Sequence, residues 1–351
     1  MIKPILTFAS GFLLLLSTVY VHADYTPPKI LEDANTSEAK SGPGYGRLEG
    51  WATLYFMVSK EGGTEQVLIE TSDPKYQSSA QSYLNLIKYA PAKVGDKLAY
   101  GQSYTPVDFT TAYFGNPNNG ISPPYAKMYD QVFPMLLKGE IENGEPLLQE
   151  LLEDHTKNLT EQALSAWLKS IYYFHKKDWG NYGNNLKLAA RLRYRLPPDL
   201  AYKSTDNLMK FQINKKHFAD ALQTFLTIDS IKGKELAETS IKEVIAAVWD
   251  LINKHPKVES EETLIANRIW TRKIHRRQIA FQMTEGKADR AALYCQNGFH
   301  EFAQATASEY SIPEAFGKCT LMLKSEQSAT FSFSEQGELI YTSAANLVAD
   351  D

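Results

Sequence analysis

Apolar residues follow different periods along this chain of 351 residues, and the first clear pattern lies near residue 50. From residue 50 to residue 71 apolar side chains recur with a period of two, which is typical of β-strands. Glu61-Gly62-Gly63 interrupts this period as a turn would. The pattern therefore predicts two consecutive strands joined by a short turn.

A helical pattern begins directly after these strands, at Ser72-Asp73-Pro74. Asp73 can accept hydrogen bonds from the first backbone amides of a helix, and Pro74 suits the first helical position. Apolar residues then recur at spacings of three and four, at Ala80, Leu84 and Ile87. A last strand is expected over residues 105–111, so that residues 46–112 form one domain.

The order and spacing of these elements resemble the C-terminal domain of TonB, the periplasmic part of the Gram-negative energy transducer. The resemblance covers about residues 46–111. It is carried by Glu49-Gly50, residues 53–58, Gly62-Gly63, residues 67–72, Ala80, Tyr89-Ala90-Pro91-Ala92 and Val107-Asp108-Phe109. TonB crosses the periplasm with a long Pro-rich spacer, whereas only about 25 residues of ~3.5 Å each separate Gly50 from the N-terminal apolar segment. The resemblance therefore implies a TonB-like binding fold rather than a TonB transducer.

The resemblance also implies where a partner binds, because in the family the last strand recruits partners by strand addition at the sheet edge. The candidate edge-strand residues are Tyr104, Thr105, Val107, Asp108, Phe109 and Thr110. We expect Val107 and Phe109 to face the core, which leaves Thr105, Asp108 and Thr110 for contacts. The alternative is that Phe109 only packs under the helix and that the following region covers the edge.

Residues 1–23 have the pattern of a secretory signal peptide, with a positive charge at Lys3, an apolar core over residues 5–21 and Val21-His22-Ala23 as cleavage site. An uncleaved anchor is the alternative, since about 17 mostly apolar residues lie at the lower limit for a spanning helix. The lack of flanking charge before Asp24 favours cleavage. Export across the inner membrane of a Gram-negative bacterium, to the periplasm, is predicted. Residues 24–45 contain several Pro and Gly residues and are predicted to be a leader loop.

Between residues 125 and 257 the apolar period becomes helical. Polar turns followed by an aromatic residue, at residues 176–179 and 214–218, resemble those of degenerate tetratricopeptide-type hairpins. The spacing between the turns is longer than the usual repeat of about 34 residues. Such an array serves either as a concave peptide-binding surface or as a plain helical spacer, and both interpretations stay open.

From residue 258 to residue 342 the period returns to two, with turns at Asn297-Gly298 and Gln336-Gly337. This pattern predicts an antiparallel β module of about five strands, followed by a frayed tail over residues 343–351. In an exported protein the two cysteines, Cys295 and Cys319, predict one structural disulfide. It would close a loop of about 25 residues and contribute on the order of 3 kcal/mol.

Charge and composition narrow the class of partner. The chain has 37 Lys and Arg residues, of which Lys3 belongs to the predicted signal peptide, and 41 Asp and Glu residues, so the mature net charge is −5. This balance argues against nucleic acid or an anionic membrane surface as the main partner, and contact with a membrane is peripheral at most. After the N-terminal segment, no apolar run is long enough to span a membrane.

The sequence contains no phosphate-binding glycine loop, no nucleophile elbow and no zinc motif, so no catalytic residue, metal or cofactor is predicted. Glu261-Glu262 and the basic residues within 272–277 are predicted to lie on solvated strand faces, and the alternative for the basic run is an acidic partner. The scattered histidines are predicted to be surface or hydrogen-bonded polar residues. They are His155, His175, His217, His255, His275 and His300.

These observations predict an α+β multidomain protein with a TonB-like ββαβ domain, an α-helical repeat-like array and a C-terminal antiparallel β module. The first functional hypothesis is a non-enzymatic periplasmic protein–protein interaction protein, accessory to TonB-dependent transport. Its partners would be envelope proteins, such as TonB-system or outer-membrane receptor components. The alternative is an envelope scaffold or peptidoglycan-associated structural protein. An enzyme ranks third, because no nucleophile is indicated.

Overall fold

The computed structural model describes residues 25–32, 48–110, 120–303 and 306–347, and the predicted signal peptide lies outside these ranges. Within them the chain forms 16 strands and eight α-helices, so the predicted α+β class with several antiparallel sheets is confirmed. The strands are β1 (Tyr25–Thr26), β2 (Lys29–Glu32), β3 (Gly50–Val58), β4 (Thr64–Thr71), β5 (Lys88–Ala90), β6 (Ala92–Val94), β7 (Lys97–Ala99), β8 (Gly101–Phe109), β9 (Lys257–Leu264), β10 (Ile269–Ile274), β11 (Arg276–Glu285), β12 (Arg290–Cys295), β13 (Gly298–Glu301), β14 (Ala307–Ser311), β15 (Cys319–Lys324) and β16 (Ala329–Leu339). The helices are α1 (Gln77–Leu86), α2 (Pro123–Lys138), α3 (Ile141–Glu150), α4 (Leu159–Lys176), α5 (Trp179–Arg191), α6 (Pro198–Asn214), α7 (Phe218–Leu226) and α8 (Glu238–Lys254).

β3 is the central strand of a three-stranded antiparallel sheet in the order β4-β3-β8. α1 lies between β4 and β8 in the sequence and covers one face of this sheet, where Phe56 and Phe109 belong to the same core as Leu84. Asp73 and Pro74 begin the helical segment as predicted, since the Asp73 carboxylate accepts a hydrogen bond from the Lys75 amide at 3.0 Å. These elements follow one another as two strands, a helix and a third long strand, with β5–β7 inserted before the third.

The other face of the same sheet packs against the rest of the protein. Met57 and Leu68 belong to one buried cluster with Ile269 and Tyr294 of the β module. Trp51 belongs to the core of the helical region. Because both faces of β3 are buried, the sheet lies between α1 on one side and the two larger regions on the other.

The predicted leader loop differs from the structure at residues 25–32, which form β1 and β2. β1 pairs with β6 and β2 pairs with β5, both antiparallel. Their hydrophobic pattern does not indicate this, because Ile30 and Leu31 are 50% and 64% exposed. The two strands are defined by backbone pairing with a segment more than 55 residues further along, which their own sequence cannot indicate.

Seven helices, α2 to α8, form most of the predicted helical region in the described part of the chain. The first begins at Pro123, because Ser122 takes the extended conformation of an N-cap residue and proline fits the first helical turn. α4 begins with a capping box in which Asn158 and Glu161 satisfy each other's backbone amides. Its apolar side chains, Leu164 and Leu168 among them, lie in the centre of the helical core.

In the residues that the structure describes, the C-terminal β module has eight strands, so the prediction of about five strands is too low. They form two antiparallel sheets in the orders β10-β15-β12-β13 and β14-β11-β16-β9. The inner faces of both sheets contribute to one core, which also includes Val248 and Ile252 of α8. The sequence pattern missed β9 because Ser260 and Glu262 occupy inward-facing positions between Val258 and Leu264, so its apolar alternation is interrupted. The predicted tail also begins too early, since Leu347 is buried in this core.

The predicted disulfide between Cys295 and Cys319 is present. The two residues lie directly opposite each other in β12 and β15, with their Cα atoms 4.0 Å apart. In the part of the chain that the structure describes, no helix combines the length and the apolar character needed to cross a membrane.

The prediction of solvated charges is wrong for Glu262, Arg272 and Arg276, which are 5%, 0% and 6% exposed. Arg272 Nη2 donates to Glu335 Oε1 at 2.6 Å, and Arg276 Nη2 donates to the Ile252 carbonyl at 2.8 Å. Burial alone would raise the pKa of Glu262, but the hydrogen bond from His217 at 2.8 Å and the charge of Arg272 lower it to about 2. These charged side chains can be buried because residues of other elements form hydrogen bonds or ion pairs with them.

We call His217, Glu262, Arg272, His275 and Glu335 the buried charge cluster. It lies where the chain leading into α7 meets β9, β10 and β16. The histidine prediction is confirmed for His217, whose ring bonds to Glu262. It is wrong for His275, which is fully buried and, among the described residues, makes no ring hydrogen bond, although its Nδ1 lies 3.2 Å from Glu335 Oε1.

Candidate partner-binding edge

The backbone directions of the β4-β3-β8 sheet follow from one hydrogen bond. The Trp51 carbonyl accepts from the Ser72 amide at 2.9 Å, so the backbone groups of Trp51 point toward β4. Because successive residues of a strand point their backbone groups to opposite sides, those of Ala52 point toward β8. Ala52 pairs with Val107. Since directions alternate along a strand, Gln102, Tyr104, Pro106 and Asp108 direct their backbone groups outward. Pro106 therefore lies at a position where its missing N–H removes no hydrogen bond from the sheet.

The β4 edge of this sheet is closed by side chains of the β module. Arg290 Nη1 donates to the Val67 carbonyl at 3.1 Å, Lys324 Nζ to the Ile69 carbonyl at 3.4 Å, and Arg268 Nη1 to the Thr71 carbonyl at 3.2 Å. These three carbonyls alternate along β4 and point away from β3. Cationic donors on successive edge carbonyls leave little acceptor capacity for another strand.

The β8 edge has no such cover over its central part. Within residues 25–32, 48–110, 120–303 and 306–347, no strand pairs with the outer side of β8. Tyr104 is 67% exposed, and Pro106 is exposed as well. The edge is therefore open from Gln102 to Pro106.

The end of β8 is held by α5 and the chain that follows it. Arg191 donates to the Asp108 carboxylate at 3.3 Å and to the Ala52 and Val107 carbonyls at 2.9 and 3.2 Å. The Tyr194 hydroxyl also donates to Asp108. These contacts fix the strand at the point where the open stretch ends.

The predicted edge-strand residues fall on the two faces of the sheet. Val107 and Phe109 are buried under α1 as expected. Thr105 is also buried, with its hydroxyl 3.3 Å from that of Tyr89, so the expectation that it is free for contacts is wrong. The reason is the period of two, which places Thr105 on the same face as Val107. Thr110 is exposed just beyond the strand.

Aromatic and cationic side chains flank the open stretch on the face opposite α1. The Tyr104 ring stacks on Tyr55 at a centroid distance of 6.5 Å. Burial, together with the nearby Glu70 carboxylate, raises the pKa of the Tyr55 hydroxyl, which stays neutral. Tyr194 is 58% exposed, and the Arg195 guanidinium lies 5.3 Å from its ring centroid. Two exposed tyrosines thus lie beside the same edge.

The sequence interpretation missed Arg191 and Tyr194, although both act on the predicted strand. The arginine-rich run Arg191-Leu192-Arg193-Tyr194-Arg195 was a possible signal, since it ends a helix with three cations around one aromatic residue. Arg191 also lies 4.8 Å from the Trp51 ring centroid, and Arg268 of the β module lies 5.1 Å from it. Trp51 therefore connects all three regions.

No protein-family model matches the chain, and no curated protein sequence matches it. Among solved structures, the chain is similar to Streptomyces albus HEPD with substrate 2-hydroxyethylphosphonate and Fe(II) bound, at 10% identity and a TM-score of 0.20. The similarity covers 90% of this chain and 68% of that chain.

This comparison corrects the prediction that the protein is not an enzyme. The similar structure is that of a protein bound to its substrate and Fe(II), so we do not retain the prediction. A TM-score of 0.20 gives this chain neither that fold nor that activity. In the described residues, no three His, Cys, Asp or Glu side chains are grouped so as to hold a metal ion.

Proposed function

We propose that this protein is a periplasmic protein–protein interaction protein whose TonB-like domain binds a partner by strand addition at the outer edge of β8. The observation that carries the proposal is the difference between the two edges of one sheet. Three cationic side chains close the β4 edge, whereas β8 is open from Gln102 to Pro106. Proteins usually protect such edges, so an unprotected one next to a protected one favours use in binding.

Strand addition suits the groups that this edge offers. The amides of Gln102 and Tyr104 donate, and the carbonyls of Gln102, Tyr104 and Pro106 accept, which gives a partner strand main-chain hydrogen bonds without regard to its sequence. Specificity comes from the side chains on the flanking face. There Tyr104 and Tyr194 present large exposed rings with hydroxyl groups, which are well suited to contacts in a protein interface.

The periplasmic and TonB-related parts of the proposal have separate support. The order strand, strand, helix, strand, with the open edge on the last strand, is the arrangement expected for a TonB-like domain. The disulfide between Cys295 and Cys319 favours an oxidising compartment. The partners would then be envelope proteins, such as TonB-system or outer-membrane receptor components, and the role would be accessory to TonB-dependent transport.

Replacing Tyr104 with Pro tests the edge directly. The substitution removes an outward N–H and one exposed side chain, so it should leave the sheet intact while blocking strand addition. We expect crosslinking capture of envelope partners, read by mass spectrometry, to fall at least about tenfold relative to wild type. The melting temperature should stay close to that of the wild type.

Two further variants separate the backbone from the side chain. Tyr104→Ala removes the ring but keeps the N–H, so it should retain part of the binding that Tyr104→Pro loses. Thr105→Pro removes a donor that points into the sheet and should lower the melting temperature instead. Equal partner recovery by wild type and Tyr104→Pro would reject strand addition at this edge.

An envelope scaffold that binds peptidoglycan is a second candidate function, favoured by a depression of about 680 Å³ on the outer face of the sheet β14-β11-β16-β9. Hydroxyl, amide and carboxylate groups of this kind bind sugar hydroxyls. The polar residues that line the depression include Glu259, Glu261, Gln282, Glu309, Ser332 and Ser334.

Ser334→Tyr distinguishes the two functions, because it fills the depression from an outward-facing position without touching β8. If the protein binds peptidoglycan there, this variant should lose co-sedimentation with purified sacculi, while Tyr104→Pro should co-sediment like wild type. Co-sedimentation that is absent in the wild type, or unchanged in Ser334→Tyr, would remove this candidate.

A further inference from the structure

A small cleft lies at the seam between the helical region and the β module, apart from both surfaces described above. It has a volume of about 50 Å³. α5 and α6 form one wall, and β9, β10 and the turn between them form the other. Its polar lining comes from Asn184, Lys187, Gln212, Lys215, His217, Glu262, Thr263 and Arg268.

Cations outnumber anions along this lining. Lys215 Nζ donates to the Glu261 carbonyl at 2.7 Å, and Arg268 Nη1 lies 3.4 Å from a Glu70 oxygen. Glu262, the carboxylate of the lining, already accepts from His217. The lining therefore contains three cationic side chains, Lys187, Lys215 and Arg268, and one carboxylate, which is already hydrogen-bonded.

Lys187 is the cation with unused hydrogen-bonding capacity. Across the described residues, its ammonium group has neither a hydrogen bond nor an ion pair, and its charge acts only at longer range on the carboxyls of Glu70 and Asp220. Burial raises the pKa of both carboxyls, and neither forms an ion pair with Lys187 among the described residues. A lysine beside a cavity with three unused donors favours an anionic ligand.

Gln212 needs a hydrogen-bond donor from the ligand, whereas Lys187 needs an acceptor. It is 5% exposed, and its Oε1 is buried without a donor among the described residues. A buried acceptor without a partner is unfavourable, and a ligand that donates a hydrogen bond would satisfy it. The cleft thus calls for a ligand that is anionic and also carries a proton donor.

We infer that this cleft binds a phosphate group that carries one P–OH proton, either free hydrogen phosphate or the monoanion of a small monoester. Its charged oxygens accept from Lys187 and from the part of the Arg268 guanidinium other than Nη1, which already contacts Glu70 and Thr71. Its P–OH group donates to Gln212 Oε1. A cavity of about 50 Å³ exceeds the roughly 10–15 Å³ that a single water needs, so it has room for a small tetrahedral oxyanion but not for a bulky ligand. Sulfate has the same shape and charge but no proton to donate, so the geometry also predicts discrimination between the two anions.

The test is titration calorimetry on the full chain in a phosphate-free buffer at constant ionic strength, with inorganic phosphate, glycerol phosphate and sulfate as probes. We expect phosphate to bind at least about tenfold more tightly than sulfate. Lys187→Met should raise the phosphate dissociation constant at least about tenfold. Gln212→Met should abolish the preference for phosphate over sulfate. Glycerol phosphate keeps a P–OH group only as its monoanion, below a pKa of about 6, so tighter binding of glycerol phosphate than of phosphate at about pH 5.5 would identify the monoester as the ligand form.

Lys203→Met is the matched control, because Lys203 is exposed on α6 outside the cleft. It should bind phosphate like wild type. Circular dichroism of Lys187→Met and Gln212→Met verifies that both variants are folded. Absence of phosphate binding in the wild type, unchanged affinity in Lys187→Met, or equal affinity for phosphate and sulfate would each overturn the inference.

Discussion

Replacing Glu335 with Gln is expected to lower the free energy of unfolding by about 3–5 kcal/mol, because Arg272 would remain buried without its counter-charge. Glu335 Oε1 accepts from Arg272 Nη2 at 2.6 Å, and Oε2 accepts from the backbone amides of His275 and Arg276 at 3.1 and 3.3 Å. Glutamine has a single acceptor oxygen, so at least one of these donors loses its partner. Denaturant unfolding of the two proteins at pH 7 measures the difference.

A double-mutant cycle with Arg272→Met separates the ion pair from simple loss of packing. Removing both charges leaves neither ion buried alone, so the double variant should be less destabilised than the sum of the single variants by at least about 1 kcal/mol. Glu238→Gln, in the exposed pair with Lys242, should leave the denaturation midpoint unchanged. Strictly additive effects at Glu335 and Arg272 would show that the two side chains are not coupled.

Acidification from pH 6.5 to pH 4 is expected to remove about 3 kcal/mol of stability through His275. Burial, and beyond it the charges of Arg272, Arg276 and His217, lower the pKa of this histidine to about 4, although Glu335 opposes the shift. The folded pKa is therefore below the unfolded value of 6.5, so the unfolded state binds more protons in this window. The contribution is fully present above pH 6.5 and is lost as the pH falls toward 4.

His275→Met isolates this contribution, because methionine fills a similar volume and carries no proton. Between pH 6.5 and pH 4 the unfolding free energy of His275→Met should fall by about 3 kcal/mol less than that of the wild type. The same substitution at the exposed His175 serves as the control. Identical slopes for wild type and His275→Met would show that other groups cause the acid sensitivity.

Local signals explain what the sequence predicted well. Asp73 and Pro74 lie next to the helix that they begin, and the period of two over β3 lies within the strand itself. The disulfide needed only the count of cysteines and the expectation of export. In each case the residues that carry the signal are the residues that form the feature.

Features that depend on distant partners could not be predicted in this way. Glu262 is buried because His217, 45 positions earlier, donates to it. The β4 edge is closed by Lys324, which is 255 positions from the carbonyl that it contacts. A period of two predicts a strand but does not tell which of its edges another region will cover. The openness of β8 is therefore a property of the folded protein.

A sheet closed on one side also sets the stoichiometry of any assembly built on it. If a strand from another molecule occupies the outer side of β8, the far side, at β4, cannot propagate the pairing, because its carbonyls are already bonded to Arg268, Arg290 and Lys324. Fibres need two free edges per molecule, whereas one free edge ends growth after a single addition. By occupying the β4 carbonyls, Arg268, Arg290 and Lys324 thus limit strand addition to one partner and prevent polymerisation through this sheet.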